Sequence, residues 1–139
     1  MIFPKETFLY TDKSYSKGDV LMYLESVSCP STDSSRIQVD DQSFILPPML
    51  LAHSCEPNAY INWQTMKLKA LRTMQKGTLV TYHYGTSEGD YRIGKFQCEC
   101  GSPSCTGEFQ GFMFLSDKEK IRIKDFVSPY IRKKYFDNR

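Results

Sequence analysis

No apolar run in this sequence is long enough to cross a bilayer. The longest, Phe44 to Ala52, is broken by Pro47 and Pro48, and it falls far short of the ~20 residues that a spanning helix needs. No membrane partner is expected. Met1 leads into Ile2, Phe3, Pro4, Lys5 and Glu6 without the apolar stretch and small-residue cleavage site of a secretory leader. Charge of one sign is also scarce. A net charge of +2 from 18 basic and 16 acidic residues makes no general field for nucleic acid. Internal repeats and linker-like stretches are absent as well, so the 139 residues are expected to form one domain, large enough to bury a core without disulfides. The five cysteines therefore fit a reducing intracellular compartment, cytoplasm or nucleus.

What the sequence does have is a concentration of thiols. Cys98, Cys100 and Cys105 fall within one short stretch that also holds Gly101, Pro103 and Gly107. Thiolates this close repel one another unless a cation gathers them, and a tetrahedral zinc with Zn–S near 2.3 Å is the usual solution. Such a site takes four ligands. Cys55, in the compact loop His53, Ser54, Cys55, Glu56, Pro57, Asn58, is the best remaining candidate, and a structural zinc there would pin two distant parts of the chain together. A zinc held by four thiolates contributes about −2 and brings the working charge to about zero. Cys29 is left over as a loop or packing thiol.

These motifs carry a resemblance. His53 to Asn58 resembles the HSCxPN signature of SET-domain protein methyltransferases, and Cys98 to Gly107 resembles their post-SET zinc loop. Ala70, Leu71 and Arg72, followed by Lys76 to Gly85, are similar to the family's strand, turn and catalytic-tyrosine segment. The resemblance implies a mainly β SET fold, with small sheets around a knot-like core in residues 1–95, a post-SET zinc loop in 96–112 and a C-terminal helical tail in 113–139. It agrees with Cys55 as the fourth zinc ligand.

The elements read from the residues are mostly short strands. Phe8 to Leu24 reads as two strands about the Ser16–Asp19 turn, Ser26 to Ser35 as a serine-rich loop, and Arg36 to Leu46 as strand, turn, strand. Met49 to Ala52 reads as a helical turn feeding the His53 loop. Tyr60 to Trp63 and Lys67 to Arg72 form a hairpin, with Leu68 and Ala70 alternating against Lys67 and Lys69, and Thr78 to Tyr84 is a further alternating strand. A capping box at Ser116 to Glu119 opens a helix whose apolar face would be Ile121, Phe126 and Val127; Ser128 and Pro129 restart it. Asn58 reads as a turn residue bonding local backbone, Trp63 as core, and Arg132 to Lys134 as a solvated face.

The resemblance also implies an activity: methyl transfer from S-adenosylmethionine to a lysine of a protein or peptide substrate, histone or non-histone. Tyr84 stands at the catalytic tyrosine position and Tyr82 where the family tunes how many methyls fit; two tyrosines on one strand face also suit plain packing. Cofactor-binding positions are Lys17, Ala52, His53, Phe109 and Phe112, with one of the two phenylalanines over the adenine and the histidine acting through its backbone. The chain departs from the family in four places. No glycines stand near Glu6 to Phe8, Ala52 replaces an asparagine, His83 replaces an acidic residue, and the insert between the two halves is short. These departures keep a second reading in view: a catalytically silent module that binds a protein or peptide, with zinc purely structural.

Overall fold

The computed structural model describes residues 8–28, 37–40, 43–45, 51–89, 96–98, 100–103 and 105–137. Cys29, the Glu6 and Thr7 positions of the missing glycine motif, and most of the 29–50 insert lie outside the described residues.

Besides short turns of 3-10 and π helix, the described residues form ten short strands and two short α-helices: β1 (Val20–Tyr23), β2 (Ser26–Ser28), β3 (Ile37–Gln38), β4 (Ser43–Ile45), β5 (Ala52–His53), β6 (Ala59–Asn62), β7 (Lys67–Ala70), β8 (Thr81–Tyr82), β9 (Phe96–Gln97), β10 (Glu108–Phe109), α1 (Asp117–Arg122) and α2 (Pro129–Arg132). They pair into four small sheets, ordered β1-β7-β6, β2-β4-β3, β5-β8 and β10-β9, and β5-β8 alone is parallel. The alternation read for β7 is present, with Leu68 and Ala70 facing inward, and β6 alternates likewise with Ala59 and Ile61 inward. Ala59, Ile61 and Leu68 join Leu24, Ile37, Val39, Leu51, Val80 and Tyr82 in the first core.

Several elements differ from expectation. Residues 8–15 contribute isolated bridges in place of a strand, among them the antiparallel pairs of Tyr10 with Leu79 and Tyr15 with Met74. The expected loop from Ser26 opens as β2, because β4 supplies it with antiparallel partners. Ala52 belongs to a strand rather than a helical turn, since Thr81 lies alongside it. The strand expected to run to Tyr84 stops at Tyr82, and Tyr84–Thr86 is a turn of 3-10 helix.

The C-terminal segment folds back over the first core and makes a second one from Phe109, Phe112, Leu115, Ile123, Val127 and Ile131. Ser116 and Ser128 cap α1 and α2 as read, accepting from the N–H groups of Glu119 and Ile131. Of the expected apolar face, Val127 is buried in the second core and Phe126 is half-buried, but Ile121 on α1 turns outward. Ile121 is 71% exposed while Glu119 is 7% exposed, because the carboxylate has buried polar partners and the isoleucine has no apolar surface to meet. Tyr84 packs against both cores and marks the seam between them.

Candidate active site and metal centre

The four sulfurs of Cys55, Cys98, Cys100 and Cys105 lie within 4.8 Å of one another. Four ligands at 2.3 Å around a tetrahedral zinc are about 3.8 Å apart along each edge, and Cys55 and Cys98 are at 3.8 Å. The backbone is shaped for thiolates: N–H groups of Thr106 and Gly107 donate to the sulfurs of Cys55 and Cys105 at 3.4 and 3.5 Å. Burial pushes the Cys98 and Cys55 thiols up, whereas Cys100, which burial alone would also raise, is drawn down to about 6 by hydrogen bonds from backbone and neighbouring thiols. Thiols that compete in this way for protons suit a cation, and these four residues could hold one metal ion.

His53 follows Ala52 in β5, and its neighbours on β8 bring it to Tyr82. Its ring lies 4.8 Å from Phe109, 5.1 Å from Tyr84 and 4.9 Å from His83. Burial, and beyond it the neighbouring His83, holds its imidazole down to about 3, so the ring is neutral. Tyr82 and Tyr84 are 5.1 Å apart between ring centres. The Tyr84 hydroxyl donates to the carbonyl of Leu51 at 2.5 Å, and that of Tyr82 stands 3.3 Å from Ser87 Oγ. Five of the expected residues, Ala52, His53, Tyr82, Tyr84 and Phe109, therefore sit in one cluster beside the thiols. Phe112 lies one layer back, against Tyr135 and Phe136 of the tail. Lys17 lies in the turn that Gly18 bonds to Ala70, and among the described residues its side chain makes no hydrogen bond or ion pair.

The cluster fits a sulfonium cofactor by its chemistry: aromatic faces attract a cation, and the Tyr84 and Leu51 oxygens offer acceptors at one edge. A separate cavity of about 420 Å³ lies between the β6-β7 hairpin and the tail, walled by Tyr60, Leu71, Arg72, Tyr82, His83 and Phe126 among others. None of Ala52, His53, Tyr84 or Phe109 lines it.

Two participants escaped the sequence reading. Asn58 bonds distant backbone rather than its own turn: its side chain accepts from the Thr81 N–H and donates to the Leu79 carbonyl, both at 2.9 Å, so it fixes the entry to β8. Glu119 reaches His83 across the seam at 3.1 Å. The Ser116-to-Glu119 spacing signalled a cap, and nothing in it signalled that partner.

Residues 3–85 match the family model of the SET domain. The chain belongs to the SET domain family. A described relative of this SET domain is the histone-lysine N-methyltransferase, H3 lysine-36 specific, of Kluyveromyces lactis, 31% identical over 96 residues that cover 61% of this chain. The match spans 13% of that relative's length. A Plasmodium falciparum protein designated a histone methyltransferase superposes with a TM-score of 0.43 at 20% identity, over 56% of this chain and 86% of that one. No helix among the described residues of this SET domain is long and apolar enough to cross a membrane.

Proposed function

We propose that this SET domain is a protein-lysine methyltransferase using S-adenosylmethionine, acting on a lysine of a histone or another protein in the cytoplasm or nucleus. The observation that carries the reading is the setting of Tyr84, whose ring lies among His53, Tyr82 and Phe109 while its hydroxyl reaches the Leu51 carbonyl. S-adenosylmethionine, when bound, supplies a methyl group on a positively charged sulfur. The residues do the rest. Tyr82 and Tyr84 form aromatic walls for a lysine stem, and their hydroxyls orient its amine. A lysine of pKa near 10.4 is neutral for only about 0.04% of the time at pH 7, a handicap of roughly 4.6 kcal/mol that desolvation between such walls offsets. Ala52 and His53 offer backbone to the cofactor, with Lys17 and Phe109 or Phe112 as its further contacts. Cys55, Cys98, Cys100 and Cys105 hold one structural zinc, and residues 1–95, 96–112 and 113–139 act as SET domain, post-SET loop and tail.

Mass spectrometry of methylated lysine on a lysate or peptide library tests this. Tyr84→Phe keeps the ring and its packing but loses the hydroxyl, so the rate is expected to fall at least about a hundredfold with cofactor affinity little changed. Tyr82→Phe should keep single methylation and add further methyls as the channel gains room. A Tyr84→Phe protein as active as the parent would refute the role.

One observation favours the second reading, a silent module that binds a protein or peptide. Phe109 and Phe112 are 0% and 1% exposed, so a nucleoside laid on either ring must displace existing packing. Calorimetric titration separates the two: no saturable heat at millimolar S-adenosylmethionine means the silent module.

A further inference from the structure

Two imidazoles hold the backbone on either side of Tyr84, and both use the same atom. The Tyr84 N–H donates to Nδ1 of His53 at 3.0 Å, and the next N–H, that of Gly85, donates to Nδ1 of His83 at 3.0 Å. An imidazole whose Nδ1 accepts carries its proton on Nε2, so both rings are neutral and of one tautomer. The two Nε2–H groups face different anchors. His53 faces the Cys55 sulfur at 3.6 Å, while His83 donates to Oε1 of Glu119 at 3.1 Å.

Glu119 lies on α1, outside the stretch that matches the SET domain model. Its carboxylate is held in turn by Arg122, whose Nε donates to Oε2 at 3.0 Å and whose Nη2 donates to both Oε1 and the Cys55 carbonyl. The Ser116 cap fixes the turn of helix that carries it. A path of hydrogen bonds thus runs from the Gly85 N–H through His83, Glu119 and Arg122 to the loop of Cys55. His83 and Glu119 are 2% and 7% exposed, and polar bonds in such surroundings are strong and directional. An apolar residue at 119 would avoid the desolvation that a buried carboxylate costs. Gly85 leaves no slack: a Cβ there would lie 2.9 Å from His83 Cε1 and 3.1 Å from Leu115 Cδ1.

We propose that Glu119 and His83 are positioning residues for Tyr84. Through them the C-terminal helix fixes the peptide plane after Tyr84, as His53 fixes the one before it, and the two planes together set the direction of the tyrosine hydroxyl. The tail is on this view part of the transfer site rather than an appended cap. This inference rests on the reading of Tyr84 as the residue that orients the reacting amine.

The test compares Glu119→Ala, Glu119→Gln and, as a control on the same helix, Ile121→Ala, by residue-resolved amide exchange and by steady-state kinetics. Glu119→Ala should raise exchange at Tyr84 and Gly85 at least about tenfold relative to β6 and β7, whose own protection changes little. The same variant should lower kcat by about tenfold while KM for the cofactor stays within about twofold. Glu119→Gln keeps an acceptor for His83 and should recover most of both losses; Ile121→Ala should behave as the parent. Unchanged exchange at Gly85, a rise spread equally over β6 and β7, or an unchanged kcat in an active enzyme overturns the positioning role. Should the parent methylate no protein while Glu119→Ala still loosens Gly85 alone, the methyltransferase reading fails and the positioning of the Tyr84 backbone stands.

Discussion

Asn58 joins two segments 23 residues apart with one amide group. Its side chain copies a peptide unit, accepting from Thr81 and donating to Leu79, and its own N–H donates to Thr81 Oγ1 at 3.1 Å. Asn58→Ala removes the two side-chain bonds and leaves their backbone partners to find water, so a loss of about 1–3 kcal/mol is expected. Urea unfolding checks this: the midpoint should fall with an unchanged slope. Glu119 gives a pH-dependent counterpart. Burial raises its carboxyl, but the bonds from His83 and Arg122 outweigh that and bring it down to about 2 from the usual 4.5. A folded-state value below the unfolded one means that the unfolded chain binds the proton first as pH falls. The stabilisation is therefore complete above about pH 4.5 and lost on the way down towards pH 2. The stability gap between parent and Glu119→Gln should shrink across that window; a gap as wide at pH 3 as at pH 6 would contradict it. Residues at this scale were legible when chemistry constrains their spacing. The thiols announced themselves because few other uses place three cysteines so close, whereas Asn58 and Glu119 are common surface types whose partners lie far along the chain.

A strand of two residues carries no periodicity of its own, and this is why β5, β9 and β10 are not legible as units, while β8 is legible only within a longer alternating stretch and the four-residue β6 and β7 stand out as a hairpin. What holds β9 to β10 is closure around the thiols: Glu108 and Phe109 pair with Gln97 and Phe96, and the Cys98 N–H donates to the Gly107 carbonyl at 2.7 Å. Two residue pairs cannot keep such a ribbon together in water. Removing the metal with a chelator should release amide protection in β9 and β10 and leave that of β6 and β7 in place. The binding of S-adenosylmethionine should weaken with it, because Phe109 is carried by β10. Cys55→Ser should give the same pattern together with a lowered zinc content. Full zinc retention in that variant would mean a different fourth ligand, and equal cofactor affinity with and without metal would mean that the loop does not shape the pocket.

At the scale of the molecule, the two cores are tied by contacts that neither could make alone. The Trp63 indole N–H donates to the Phe126 carbonyl at 2.8 Å, the Tyr130 N–H to Val39 at 2.9 Å, and the Ser128 N–H to Thr86 at 2.7 Å. Amphipathic spacing predicts a helix at the C-terminus but not what it covers, since those surfaces are assembled only after the strands fold. Trp63 is the sole tryptophan and stands at this junction, so its fluorescence reports docking of the tail, while circular dichroism reports the strands and helices together. If the second core is part of one cooperative unit, both signals should change at one denaturant concentration. Ile131 is 0% exposed in that second core, and Ile131→Ala opens a cavity expected to cost about 2–5 kcal/mol. The variant should shift the two transitions by the same amount. An early fluorescence change with the dichroism transition left in place would show instead that the tail undocks by itself, and Tyr84, packed between both cores, would then lose one of its two walls before the sheets unfold.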